Sequence, residues 1–215
     1  MVMIQNATGI ILRTRPLTDT SLIVHWLTPN FGRMATVARG ARRLKSPFRG
    51  RLDLFYLADF SFSRSRRSDL HMLREVGVRE MHGPLRQNLS ALRQATYAAA
   101  FIEQATETET PLPGVFELMC GLVDYLCRQK PVPQTVFALE LKLLRELGLN
   151  PDVGKTGLTA GARQIIRALM DGNWQASCCL KPSGGQIEEL RAFLHGFLIF
   201  HLGRLPRGRA SALAD

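Results

Sequence analysis

The chain has 215 residues, 46% hydrophobic and 21% charged, the balance of a folded protein with one large domain or two modest ones. Its 28 Lys and Arg outnumber 18 Asp and Glu, and the net charge of +10 favours polyanionic partners, nucleic acid or an anionic membrane surface. No apolar run approaches the roughly 18–20 residues that span a bilayer, the N-terminus lacks the features of a secretory signal, and four irregularly spaced cysteines (Cys120, Cys127, Cys178 and Cys179) fit a reduced, cytoplasmic protein.

The first 80 residues have the period of strands. Residues 9–13 form the first and run into a turn at 16–19. Residues 21–27 are apolar and β-branched, and Thr28, Pro29 and Asn30 end them. Residues 31–39 alternate as a half-buried strand does. Residues 40–50 are too basic and too rich in breakers for a strand interior and predict a loop. Two further strands, 52–62 and 70–78, flank a basic turn at 63–68. Five short strands suit a small barrel, and the OB-fold is the five-stranded barrel that binds oligonucleotides. Most of the aromatics here (Trp26, Phe31, Phe55, Tyr56, Phe60, Phe62) belong to a barrel core.

Past residue 85 the period becomes helical. Leu92, Ala95, Ala99 and Ile102 recur at spacings of three and four after Asn88, and further helices are predicted at 115–128, 134–147, 159–170 and 186–202. Gly148 stands where a helix C-terminus favours glycine. The expected architecture is α+β, with an OB barrel over 1–80, a helical domain over 81–205 and a frayed tail at 206–215.

Charge divides unevenly between these halves. Residues 1–80 hold 14 Lys and Arg against 6 Asp and Glu, whereas the remainder holds 14 against 12. Arg33, Arg39, Arg42, Arg43, Lys45, Arg49 and Arg51 fall in one stretch without an acid, although a solvated face normally mixes signs. Six of the seven are arginine, which binds phosphate bidentately and stacks on bases. Arg64, Arg66 and Arg67 extend the track from the neighbouring turn. Phe48, inside the basic loop, either stacks on a base or pins the loop to the barrel.

In order and spacing these residues resemble the RecO family of bacterial DNA repair proteins. The likeness runs through Gly9-Ile10-Ile11-Leu12-Arg13 and Ser21-Leu22-Ile23-Val24. It is strongest at Gly32-Arg33 and Val37-Ala38-Arg39-Gly40-Ala41-Arg42-Arg43, with Lys45-Ser46 and Phe48-Arg49-Gly50 behind them. Phe137-Ala138-Leu139-Glu140-Leu141-Lys142-Leu143-Leu144, leading to Gly148 and Pro151-Asp152, resembles the family's central helix. The resemblance implies an OB-fold on a helical domain, no catalytic site and no cofactor. It implies binding of single- and double-stranded DNA, annealing of complementary strands, and cooperation with RecR in helping RecA replace single-stranded DNA-binding protein on gapped DNA. It also suggests a groove in the helical half for the acidic tail of single-stranded DNA-binding protein, with Arg128, Lys130, Lys142 and Arg145 as rim residues or as ordinary solvated charges.

One departure concerns metal. Many family members carry a four-cysteine zinc element after the position of residues 148–152, whereas here 153–157 pass almost directly into the next helix. Neither Cys120 and Cys127 nor Cys178 and Cys179 have C-x-x-C spacing, so the thiols read as buried or partly buried and no metal is expected. Gly154-Lys155-Thr156 resembles the end of a P-loop but lacks its first glycine, since position 149 is Leu149. His25, His71, His195 and His201 form no recognisable catalytic set, and Asp53 and Asp59 read as turn or barrel-edge residues. The competing class is a basic scaffold protein bound to RNA or the ribosome; a nuclease is disfavoured by the lack of clustered acids.

Overall fold

The computed structural model describes residues 3–214, without the side chains of Lys155 and Cys178. It divides into two compact units. One contains the chain up to Gly83 together with Thr106–Cys120; the other contains Pro84–Ala105 and the chain from Gly121 onward.

The first unit is a closed barrel of β1 (Ile4–Pro16), β2 (Leu22–Thr28), β3 (Gly32–Ala38), β4 (Leu57–Ser63) and β5 (Leu70–Glu80) in the order β1-β2-β3-β5-β4. All pairs are antiparallel except β3 with β5. This is the five-stranded OB topology expected from the strand pattern. Strand β1 is longer than the predicted 9–13 because it serves two neighbours. Its first half pairs with β4 and its second with β2, and the hand-over falls at Ile10. Gly9 permits the bend there: a Cβ at this position would lie 2.9 Å from Thr28 Cγ2 and 3.0 Å from the Leu27 carbonyl. The barrel is filled by Ile11, Val24, Trp26, Met34, Phe60, Phe62, Leu73 and Val76. Trp26 stacks on Phe60 at 4.1 Å between ring centroids and donates its indole N–H to Thr36 Oγ1 at 2.8 Å.

The predicted strand 52–62 begins only at Leu57. Before it, the Tyr56 amide donates to the Asp53 carbonyl in a turn, and Phe55 takes a left-handed backbone (φ 62°) with its ring buried. The Phe55 amide donates to Ile11 O, and its carbonyl engages His82 Nδ1 at 2.6 Å. These bonds fix a conformation that a non-glycine residue seldom adopts. Thr106–Thr110 lies against the start of β3. The Glu109 amide donates to the Arg33 carbonyl at 2.8 Å, and Gly32 (φ 63°) comes so near that a Cβ there would stand 1.9 Å from the Thr110 carbonyl oxygen.

The second unit contains α1 (Leu89–Ala105), the second half of α2 (Pro113–Arg128), α3 (Pro133–Glu146), α4 (Ala160–Asp171), α5 (Trp174–Cys178), α6 (Gly184–Leu202) and α7 (Arg209–Ala212). Helix α3 is its core, with every residue from Thr135 to Leu144 buried. Gly148 (φ 74°) closes it: Leu149 N–H reaches back to the Leu144 carbonyl, and Gly148 N–H to that of Arg145. Ser183 and Gln186 form a reciprocal capping box at the start of α6.

Two elements depart from expectation. The short helix α5 follows Asn173, whose side chain caps Ala176 N–H, and five residues carry too little periodicity to announce a helix. The tail is not frayed through Ala214: α7 packs with Arg209, Ala212 and Leu213 buried. Asp215 is outside the described residues. Arg209 anchors this helix by a two-pronged ion pair to Glu140, itself wholly buried, with Nε–Oε1 at 2.7 Å and Nη2–Oε2 at 3.0 Å. The Tyr97 hydroxyl donates to Glu140 Oε1 at 2.5 Å; burial, followed by the Glu140 charge, raises its pKa well above that of an ordinary phenol.

Two substitutions test these joints by urea unfolding. Arg209→Met leaves the Glu140 charge buried without its partner and is expected to cost about 3–5 kcal/mol. Gly32→Ala drives a methyl group into the Thr110 backbone on a left-handed residue and is expected to cost at least about 1–3 kcal/mol.

Candidate nucleic-acid interface

The outer face of β1–β3 is where the barrel shows its charge. Ile11 and Trp26 are paired and point into the core, so strict alternation would turn Arg13 inward as well. A bulge between Ile11 and Arg13 shifts the register by one residue and pairs Arg13 with His25 and Arg15 with Ile23. Arg13 and Arg15 are therefore exposed on the outer face beside His25, where Arg33 and Arg39 of β3 and its end share the phase. The field is visible in the His25 imidazole, whose pKa falls from 6.5 to about 4. Burial is the largest cause, followed by the charges of Arg13, Arg15 and Arg33. Sequence reasoning passed over Arg13 and Arg15, because only the bulge reveals their direction.

This face ends in a cleft of ≈ 810 Å³ between two barrel loops and the base of the basic loop. Thr18 and Thr20 contribute from the β1–β2 loop, Arg39, Gly40 and Arg43 from the end of β3, and Arg64, Ser65 and Ser68 from the β4–β5 loop. The predicted residues Arg39, Arg43 and Arg64 thus meet around one hollow. The loop after β3 is a chain of tight turns: the amides of Arg43, Ser46, Arg49 and Arg51 each donate to a carbonyl three residues earlier. Arg42, Arg49 and Arg51 brace it through guanidinium bonds to Thr18 O, Leu44 O and Val76 O. Lys45, Arg66 and Arg67 are exposed beyond the cleft, and Arg51 borders a separate hollow with Arg74, Asn6 and Thr8.

Two of the expected contact residues have other work. Phe48 is 7% exposed and belongs to the barrel core, so it pins the loop and its face is closed to a base. A large exposed apolar side chain of this loop is Leu44, at 81%. Arg33 is half-buried and turned onto Thr106, with Nε 2.8 Å from its hydroxyl and Nη2 on its carbonyl, holding the barrel to the segment that follows α1.

In the helical unit, Lys142 is buried against the C-terminus of α4, where its ammonium donates to the carbonyls of Met170 and Gly172. Arg145 donates to the Met170 carbonyl at 2.8 Å and pairs with Asp171 at 3.7 Å. Lys142 is thus a buried structural cation, and Arg145, though exposed, is committed to the negative end of the same helix. Arg128 and Lys130 are exposed, and Lys130 borders a hollow of ≈ 500 Å³ with Pro131, Val132, Pro133 and Leu213. Among the described residues no three His, Cys, Asp or Glu side chains come together as metal ligands. Cys120 and Cys127 are partly buried, Cys179 is exposed against expectation because it caps the end of α5, and the Cys178 side chain lies outside the described residues. A four-cysteine zinc element does not fit this donor set. No described helix is long and apolar enough to cross a membrane.

The family model of the recombination protein O N-terminal domain matches residues 1–82, and that of its C-terminal domain matches residues 86–157. The chain is 30% identical to DNA repair protein RecO of Anaeromyxobacter sp. (strain K) over 92% of its own length and 91% of that protein. This chain belongs to the RecO family. It is also similar to DNA repair protein RecO of Rhodopirellula baltica, at 31% identity over 66% of this chain and 53% of that protein. For the RecO of Listeria monocytogenes the figures are 29%, 72% and 60%. The basic face and cleft lie wholly in the part matched by the RecO N-terminal model.

The depressed His25 pKa makes a prediction for the barrel. Unfolded His25 takes up a proton near pH 6.5, whereas folded His25 resists it until about pH 4. Its contribution to stability is complete above 6.5 and is lost progressively as the pH falls towards 4. The difference in melting temperature between wild type and His25→Asn should therefore change across that window and stay level above it.

Proposed function

We propose that this chain binds single- and double-stranded DNA mainly through the phosphate backbone and promotes annealing of complementary strands, acting with RecR to help RecA displace single-stranded DNA-binding protein during repair. The observation that carries this reading is the convergence of Arg39, Arg43 and Arg64 on one cleft, continuous with Arg13 and Arg15 on the outer face of an OB barrel. OB barrels bind oligonucleotides on the face of strands 2 and 3 and between the β1–β2 and β4–β5 loops; here Thr18 and Thr20 of the first loop and Arg64 of the second line the cleft, and Arg39 directly follows β3.

The chemistry follows from what these groups offer. Arginines presented to solvent match phosphate oxygens in pairs and release counterions, and they recognise a backbone without reading its sequence. Two complementary strands repel through their phosphates, and a protein that neutralises both lowers that barrier and leaves the pairing edges of the bases free. With Phe48 in the core, aromatic stacking contributes nothing from this loop, and Leu44 is its exposed apolar contact. No step needs a bond to be made or broken by the protein. For the acidic tail of single-stranded DNA-binding protein, the remaining cationic candidates are Arg128 and Lys130.

The test is single-strand binding and annealing over a salt series, without ATP or metal. Replacing Arg39 and Arg43 together with Ala removes two phosphate contacts and should reduce the slope of log K against log salt by about 1.4 for single strands. Annealing by the wild type should be rapid and should fall in the same variant. Unchanged slope and annealing in a folded double variant would remove the cleft from the reading. Preference for structured RNA over DNA would replace the reading with an RNA scaffold.

A further inference from the structure

The β4–β5 loop, one wall of the cleft, is held from outside the barrel. Its Arg64 pairs through Nη2 with Oε2 of Glu109, and the other Glu109 oxygen is 2.6 Å from Nε2 of His71 on β5. His71 is 2% exposed, and its Nδ1 accepts from the Ser65 backbone amide at 3.2 Å. Because Nδ1 is the acceptor, the ring proton is on Nε2 and is donated to Glu109. One carboxylate thus grips the loop twice, through the Arg64 guanidinium and through the imidazole that holds Ser65.

The geometry of the carboxylate is set by several independent contacts. Glu109 takes a left-handed backbone (φ 55°), and its amide is bonded to the Arg33 carbonyl. On either side, Thr106 is held by the Arg33 guanidinium and Thr110 packs on Gly32. Arg64, His71 and Glu109 are among the residues that line a hollow of ≈ 180 Å³, with Asn30, Phe62 and Pro111 beside them. Such over-determination of a sparsely populated backbone marks a position held for a purpose.

We propose that Glu109 is an internal competitor for DNA: it occupies Arg64 in the free protein, and a phosphate entering the cleft must take Arg64 from it. This rests on the DNA-binding reading above. Arg64 is exposed at its side chain and Glu109 half-covered, so the pair is weak enough to exchange. A backbone phosphodiester offers the same guanidinium a bidentate partner of equal charge, and the neighbouring phosphates of the strand add to the attraction. The retained carboxylate then repels the backbone it has admitted, which favours strands that leave again and suits a protein that must release paired DNA.

The experiment measures single-strand affinity at low salt for wild type, Glu109→Gln, Arg64→Ala, Arg43→Ala and the Glu109→Gln/Arg64→Ala double variant. Glutamine keeps the shape and one acceptor, and Glu107→Gln, an exposed neighbour, removes the same charge elsewhere on the segment. Glu109→Gln should bind about two- to fivefold more tightly, the gain should fade with salt and be absent without Arg64, and Glu107→Gln should not reproduce it. Arg64→Ala should also cost less than Arg43→Ala while Glu109 is present, which needs no change at position 109. Weaker or unchanged binding by folded Glu109→Gln, an equal gain from Glu107→Gln, or equal losses from Arg64→Ala and Arg43→Ala would overturn the proposal while leaving DNA binding in place. Failure of the wild type to bind would instead remove the underlying reading and the proposal with it.

Discussion

The barrel unit depends on one topological constraint: β5 lies between β3 and β4 in the sheet. The chain leaving β3 cannot turn directly into its next strand as in a hairpin. It must cross to the far edge of β5, and residues 39–56 make that crossing. A long link is tolerable only if something ties it down, because ordering it costs backbone entropy at every residue. Phe48 and Phe55 supply the burial, and tight turns satisfy the amides of Arg43, Ser46, Arg49 and Arg51 along the link. With these two aromatics turned inward, the arginines of the link are left at the surface. The charge of the loop and its anchorage are thus two sides of the same folding problem.

In the helical unit the corresponding role belongs to Glu140. A carboxylate at the centre of a fully buried helix is costly unless its oxygens are satisfied. Arg209 and Tyr97 satisfy them, and in doing so they recruit the last short helix and α1 to α3. Lys142, two residues further along, solves a different version of the same problem by placing its charge on the carbonyl end of α4. Buried charges in α3 therefore specify which segments pack on it, in addition to the apolar side chains that supply most of the burial.

Much of this was legible in the chain before any coordinates. The β-branched run at 21–27, the alternation at 31–39 and the breakers at 40–50 located β2, β3 and the basic loop, and Gly148 marked the end of α3. What escaped depends on partners distant in sequence. Arg209 stands in a short, polar, glycine-flanked tail with every local sign of fraying, and only Glu140 explains its order. Lys142 reads as a solvated helix charge until the end of α4 is placed beside it. Arg33 has the appearance of one more phosphate ligand, yet Thr106 claims it from outside the barrel. Among the residues proposed for the interface, Arg39, Arg43 and Arg64 were identifiable because charge without compensating acids is a local property. Phe48 was ambiguous because the two roles open to it require the same residue.

The bulge at Leu12 has a consequence for how such a strand tolerates change. Leu12 is the one extra residue in the pairing of β1 with β2: Ile11 stands opposite Trp26 and Arg13 opposite the adjacent His25. Removing Leu12 would therefore restore regular pairing and leave Arg13, Thr14 and Arg15 on their present faces, whereas removing a residue on either side of it would have to be absorbed by the bulge. The strand can thus lose one residue without inverting its basic face, and comparisons among related chains should read a gap at Leu12 as milder than a gap elsewhere in β1.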